Sequence, residues 1–131
     1  MLKELTKGDK ELIQNARKLI AKRYSKRSTV AASLRTKSGK VYNGVCIIVP
    51  KSEPCTICAE YSAVAKMWAD SDEEIDSIVA VYLSKNKKYT IFSPCGKCRQ
   101  FLSSFGDPYI ILDVKGEIKK AKLSDITLFQ Y

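Results

Sequence analysis

Cys58-Ala59-Glu60 and, after a long gap, Pro94-Cys95-Gly96-Lys97-Cys98 place three thiols and one carboxyl in two short segments. Zinc takes thiolates as tetrahedral ligands, and three protein ligands leave the fourth corner to water. A carboxylate beside that water, not itself a ligand, can accept its proton and pass it to a substrate nitrogen. The chemistry implied is metal-assisted hydrolysis, with Cys58, Cys95 and Cys98 as ligands and Glu60 as the proton carrier. Cys95-x-x-Cys98 reads as a turn entering a helix, with both thiols on one side, and Pro94 suits the start of that helix. Cys58 stands similarly near the start of a helix predicted over Cys55–Ala69. Two helix N-termini aimed at one ion favour the thiolate form. Three thiolates also concentrate negative charge, which Arg99 could offset by donating hydrogen bonds to ligand sulfurs; a plain surface role for Arg99 is the alternative.

A second pattern overlaps the first. Cys55-x-x-Cys58 with Cys95-x-x-Cys98 makes two CxxC pairs, the spacing of a closed four-cysteine structural site. The gap between the pairs holds a helix and two strands, long for a small zinc ribbon, and a structural site has no use for Glu60. Cys55 is therefore expected outside the ligand set.

The chain contains no histidine. That removes Ser-His-Asp and Cys-His nucleophiles and every histidine-ligated zinc site. Its 131 residues, 45% of them hydrophobic, suit one domain over 1–131 with a real core. No apolar run approaches membrane-spanning length, and Met1-Leu2-Lys3-Glu4-Leu5 lacks the apolar region of a secretion signal. A cytoplasmic location with no membrane partner is the expectation. Five cysteines in a reducing compartment point to metal or catalysis rather than disulfides. The formal net charge of +9 admits a nucleic-acid partner, but the lysines are scattered through turns and along strands, which reads as a solvated surface. The alternative function, a zinc-stabilised basic module that binds nucleic acid without turnover, requires basic residues interleaved with aromatics. Tyr82, Tyr89 and Phe92 near Lys85–Lys88 show that pattern weakly, so nucleic acid is not the expected partner.

Around these motifs the periodicity predicts a helix over Thr6–Arg23 with Thr6 as its cap, and a hairpin from Thr29–Arg35 and Val41–Val49. Strands follow at Ile78–Leu83 and Tyr89–Phe92, then a helix over Gly96–Ser104. Tyr109–Val114 and Ile118–Ala121 form a last hairpin, and a short helix covers Ser124–Leu128. Helices interspersed with strands suggest one sheet with helices on its faces.

The Cys-Ala-Glu and Pro-Cys-x-x-Cys pair resembles the cytidine deaminase family, and more closely its blasticidin S deaminase branch. Val30-Ala31-Ala32-Ser33-Leu34, Ser38-Gly39-Lys40-Val41-Tyr42-Asn43-Gly44, Ser93 through Gln100 and the Leu123–Tyr131 tail match in order. The resemblance implies a three-layer α/β/α fold with a five-stranded mixed sheet, a bound Zn2+, and hydrolytic deamination at the amino-bearing carbon of a cytosine-like ring of a small-molecule substrate. It implies a homotetramer in which Tyr131 closes a neighbour's pocket, and it puts Ser28, Cys46, Ile48, Ala59 and Ser93 against the substrate. Three of these positions depart from the family: Cys46 and Ile48 stand where it carries the Asn and Glu that hold ribose. Ser28 stands where it carries a Phe against the base. The zinc chemistry carries over; a nucleoside substrate does not follow.

Overall fold

The central strand, β3 (Ile75–Leu83), decides the architecture. It is buried along nearly its whole length and divides its side chains between two cores. Ile75, Ile78 and Ala80 face one, and Val79, Val81 and Leu83 face the other. A strand buried on both faces needs cover on both. In the computed structural model, which describes residues 2–52, 56–72, 74–94 and 96–127, α1 (Lys7–Arg23) covers one face through Leu12, Ala16 and Ile20. The opposite face is covered by α2 (Ala59–Ala69), α3 (Gly96–Leu102) with a 3-10 turn at Ser103–Phe105, and α4 (Leu123–Thr127). Ala63, Val64 and Met67 of α2, Leu102 of α3 and Ile126 of α4 share that core.

Five strands run in the order β2 (Val41–Val45), β1 (Val30–Thr36), β3, β5 (Tyr109–Val114), β6 (Glu117–Lys122). β4 (Tyr89–Phe92) is a sixth, paired antiparallel to the C-terminal half of β3. β3 and β5 run parallel and the other pairs antiparallel. The periodicity predicts one sheet with helices on its faces, and the three-layer α/β/α architecture with a mixed sheet is the one the family resemblance implies, with β4 added beside the five-strand path.

Three boundaries differ from the periodicity by three residues or more, each for a reason in the hydrogen bonding. The helix predicted from Cys55 begins at Ala59, because Ile57 exchanges both backbone hydrogen bonds with Ile47 (2.9 and 3.0 Å) and holds the preceding chain extended. β2 ends at Val45 rather than Val49, since the Ile48 N–H turns to the Arg27 carbonyl at 2.8 Å. β3 begins at Ile75 rather than Ile78, because Ile75 and Ser77 pair with Thr36 and Arg35 of β1. Leu128, the predicted end of the last helix, lies outside the described residues, as do Cys55, Cys95 and Tyr131.

Charge ties α1 to the sheet. Thr6 and Asp9 form a reciprocal capping box at the helix start, which satisfies two otherwise orphaned N–H groups. Asp9 is fully buried and also accepts from Arg35 of β1 at 2.9 Å and Lys120 of β6 at 2.8 Å. Burial opposes its ionisation, but the hydrogen bonds from Lys120, the Thr6 N–H and Arg35 outweigh it and hold the carboxyl at about 2, below its ordinary 3.8. A carboxyl held low in the folded state stabilises it above the ordinary value, and the contribution disappears as pH falls through the lower one. We expect about 1–2 kcal/mol of stability, allowing for screening at part-exposed Arg35, to be lost between about pH 4 and pH 2. Denaturant unfolding across that range should show this drop for the native chain, and Asp9→Asn should be less stable at pH 7 and flatter in acid.

Candidate active site

The site begins with a glycine. An added Cβ at Gly44 of β2 would come within 2.4 Å of the Ala63 backbone nitrogen and 2.7 Å of Ser62 Cβ. Only a residue without a side chain lets α2 lie this close on β2. That approach fixes where the first turn of α2 ends up.

Cys58 is the N-cap of α2, in extended conformation, and its side chain makes no capping hydrogen bond. The thiol is thus at the positive end of the helix without being used by it. Glu60 lies in the first turn and is 7% exposed. Burial pushes its carboxyl above the ordinary value, against a hydrogen bond from its own backbone N–H. The second motif opens α3, where Cys98 is buried. Neither Cys58 nor Cys98 is in a disulfide. Arg99 follows on α3, half-buried and with interactions of its own.

Glu60 and Pro94 line one small cavity of about 10 Å3, together with Ala80 of β3, Phe92 of β4 and Leu102 of α3. That volume is about what one water molecule needs. The two motifs, far apart in sequence, therefore meet around the Glu60 side chain. Cys95 lies outside the described residues, and among those residues no group of three metal-ligating side chains forms a centre. The donor set nonetheless suits zinc: two uncrosslinked thiols, each near the start of a helix, and a buried carboxyl in the first turn of α2.

The positions expected to touch substrate are distributed as follows. Cys46 is buried and its sulfur accepts the Thr29 N–H at 3.3 Å, while the Ser28 hydroxyl donates to the Cys46 carbonyl at 2.9 Å. Ile48 packs against the core. The Ala59 side chain is buried in the same core. Ser93 is exposed, immediately before Pro94. Tyr131 lies outside the described residues.

Phe92 is a residue whose place the sequence leaves unmarked. It is 44% exposed, lines the cavity beside Glu60, and stacks on Tyr82 with centroids 5.0 Å apart and planes 3° from parallel. Its one signal is position, two residues before Pro94 at the end of a strand.

A mixed sheet between helical layers, with Cys-Ala-Glu opening one helix and Pro-Cys-x-x-Cys opening another on the same face, defines the cytidine deaminase-like class of fold. The model of the cytidine and deoxycytidylate deaminase zinc-binding region matches residues 6–113. The chain belongs to that family, and with it to the hydrolytic deaminases. A blasticidin-S deaminase of Bacillus cereus is 27% identical over 133 residues, covering 97% of this chain and 94% of the relative. A probable cytidine deaminase of Dictyostelium discoideum is 36% identical over 78 residues, 60% of this chain and 50% of the relative. Among solved structures, the cytidine deaminase of Bacillus anthracis superposes with a TM-score of 0.78 at 20% identity, over 93% of this chain and 88% of that one. The cytidine deaminase of Mycobacterium leprae gives 0.73 at 20% identity, over 92% and 97%. Likeness at such identities establishes the fold.

Gly44→Ala tests the geometry directly. The added methyl must push α2 off β2, at a cost of about 1–3 kcal/mol. Thermal melting should show a Tm lower by roughly 5–15 °C, and metal analysis should show reduced zinc content. A variant that keeps both would contradict the close approach.

Proposed function

We propose that residues 1–131 act as one zinc-dependent hydrolytic deaminase domain, releasing ammonia from a cytosine-like or related amino-heterocycle of the kind cytidine and blasticidin-S deaminases act on. The observation that carries this reading is the meeting of the two motifs at one buried carboxyl, with Glu60 and Pro94 lining the same cavity. Cys58, Cys95 and Cys98 would hold Zn2+. When bound, the ion supplies Lewis-acid activation of a water for attack on the amino-bearing carbon.

The chain's own residues do the rest. Glu60 takes the proton from the attacking water and delivers it to the ring nitrogen, then moves the second proton to the departing amino group. Its burial keeps bulk water from competing for those protons. Phe92, flat against Tyr82 beside the cavity, offers an aromatic edge to a planar ring. Arg99 donates to ligand sulfurs and offsets their charge. Cys55 stays outside the ligand set. Uncrosslinked thiols at Cys46, Cys58 and Cys98 suit a reducing cytoplasm, and the resemblance to small-subunit deaminases supports a homotetramer with Tyr131 reaching a neighbouring pocket. No helix among the described residues is long and apolar enough to cross a membrane.

Purified protein should carry about one zinc per chain by metal analysis. Glu60→Gln should keep that zinc and lose ammonia release by about a hundredfold or more, whereas Cys98→Ser should lose the metal. Cys55→Ser should retain both. Normal turnover by Glu60→Gln would end the enzyme reading, and loss of zinc from Cys55→Ser would turn the site into a closed structural one.

A further inference from the structure

α1 covers only part of the sheet on its own side. It packs mainly across β1, β2 and β3, with Leu12, Ala16 and Ile20 buried against them. Ile13 and Arg17 stand on the flank of that stripe, one above the other at i, i+4 spacing. From that flank a cleft of about 320 Å3 opens over β4, β5 and β6, within the size range of small-molecule sites, about 300–1,000 Å3.

The floor of the cleft is apolar. Ile13, Tyr89, Ile91 and Ile118 line it, and each packs against the core under α1 yet stays half-buried. Side chains left in that state gain further burial from an apolar body placed among them.

Its rim is cationic. The Arg17 guanidinium lies over the Tyr89 ring, 4.3 Å from the centroid. A ring face offers no lone pair, so this contact leaves the guanidinium N–H donors to other acceptors. Lys88, exposed and next to Tyr89, lines the same cleft. Among the described residues the ion pairs belong to Arg35, Lys119 and Lys120, so neither Arg17 nor Lys88 is neutralised by one. The acidic side chain in the lining, Asp113, accepts the Gly116 N–H at 2.9 Å in the turn between β5 and β6. Two cations against one carboxylate leave the cleft positive.

The cavity beside Glu60 is on the other face of the sheet, and the two share no lining residue. β4 separates them: Tyr89 and Ile91 belong to the α1 side, and Phe92 lines the cavity with Glu60.

We propose that this cleft binds a small organic anion, an apolar ring or branched chain bearing one carboxylate, at a site separate from the catalytic one. The apolar body lies among Ile13, Ile91 and Ile118, and the carboxylate meets Arg17 and Lys88, whose charge-assisted hydrogen bonds are stronger than neutral ones. Binding there requires neither metal nor turnover, so it stands or falls apart from the deaminase reading.

The test uses the zinc-loaded full chain with three probes: indole-3-acetate, its neutral counterpart indole-3-acetamide, and acetate. Affinities are measured by calorimetry, and the site is located by NMR of labelled isoleucine methyl groups. We expect indole-3-acetate to bind about tenfold or more tightly than the amide, with the margin narrowing as ionic strength rises. Acetate, with no apolar body to bury, should bind more weakly than indole-3-acetate. The methyl signals of Ile13, Ile91 and Ile118 should move with indole-3-acetate, while those of Ile78 and Ile110, which line the Glu60 cavity, stay in place. Arg17→Gln and Lys88→Gln should each reduce the margin over the amide and together bring it close to one. Lys88 is exposed, so Lys88→Gln decides the matter if Arg17→Gln does not fold. Equal affinity for acid and amide, a margin untouched by these variants, acetate binding as tightly as indole-3-acetate, shifts at Ile78 and Ile110 in place of the cleft methyls, or no binding of any probe overturns the proposal.

Discussion

The distance between β2 and α2 governs the rest of the molecule. Gly44 lets the two backbones touch, with the Ala63 amide where a Cβ would otherwise be. From that contact follow the depth of α2 on the sheet, the burial of Ala59 and Glu60 beneath its first turn, and the projection of Cys58 from its positive end. A single methyl group in this contact would move the carboxyl and the thiol together, since both belong to the same helix start. Packing and chemistry are thus one constraint: the site is only as well placed as this contact is tight.

On the other side of the sheet a different kind of interaction takes over. Asp9 gathers the start of α1, Arg35 of β1 and Lys120 of β6 into one buried charge cluster, with Asp76 of β3 joined through Arg35 at 2.8 Å. Four elements remote in sequence share these partners. Every buried charge in the cluster is paired, which keeps such an arrangement from being destabilising. The sheet is thus held by ionic contacts near the start of α1 on one face and by apolar packing under α2 on the other, where the chemistry sits.

Much of this was legible in the chain. The capped helix at Thr6, the two hairpins, β4 and β5 all follow from periodicity and turn residues, and the pairing of Cys-Ala-Glu with Pro-Cys-x-x-Cys carries the class of chemistry. What was not legible depends on partners distant in sequence. The extra residues at the start of β3, from Ile75 to Ser77, overlap an acidic stretch with no strand periodicity of its own; they form strand because β1 pairs with them. The late start of α2 comes from the Ile47–Ile57 bridge, which no local pattern announces. The Cys46 sulfur accepts from the Thr29 amide, a partner supplied from 17 residues away. The place of Phe92 against Tyr82 and the Glu60 cavity likewise required the fold.

The divided edge of β3 bears on how the chain assembles. Its C-terminal half is satisfied by β4, a hairpin neighbour, while its N-terminal half meets β5 at only two residue pairs, Ser77 with Tyr109 and Ile78 with Ile110. Adjacent hairpins close small loops quickly, whereas a parallel partner some thirty residues away must wait for a large loop to close. The sheet therefore has a natural order of growth: three hairpins first, then their docking, with the short parallel seam the slowest join and the weakest line along which it would part.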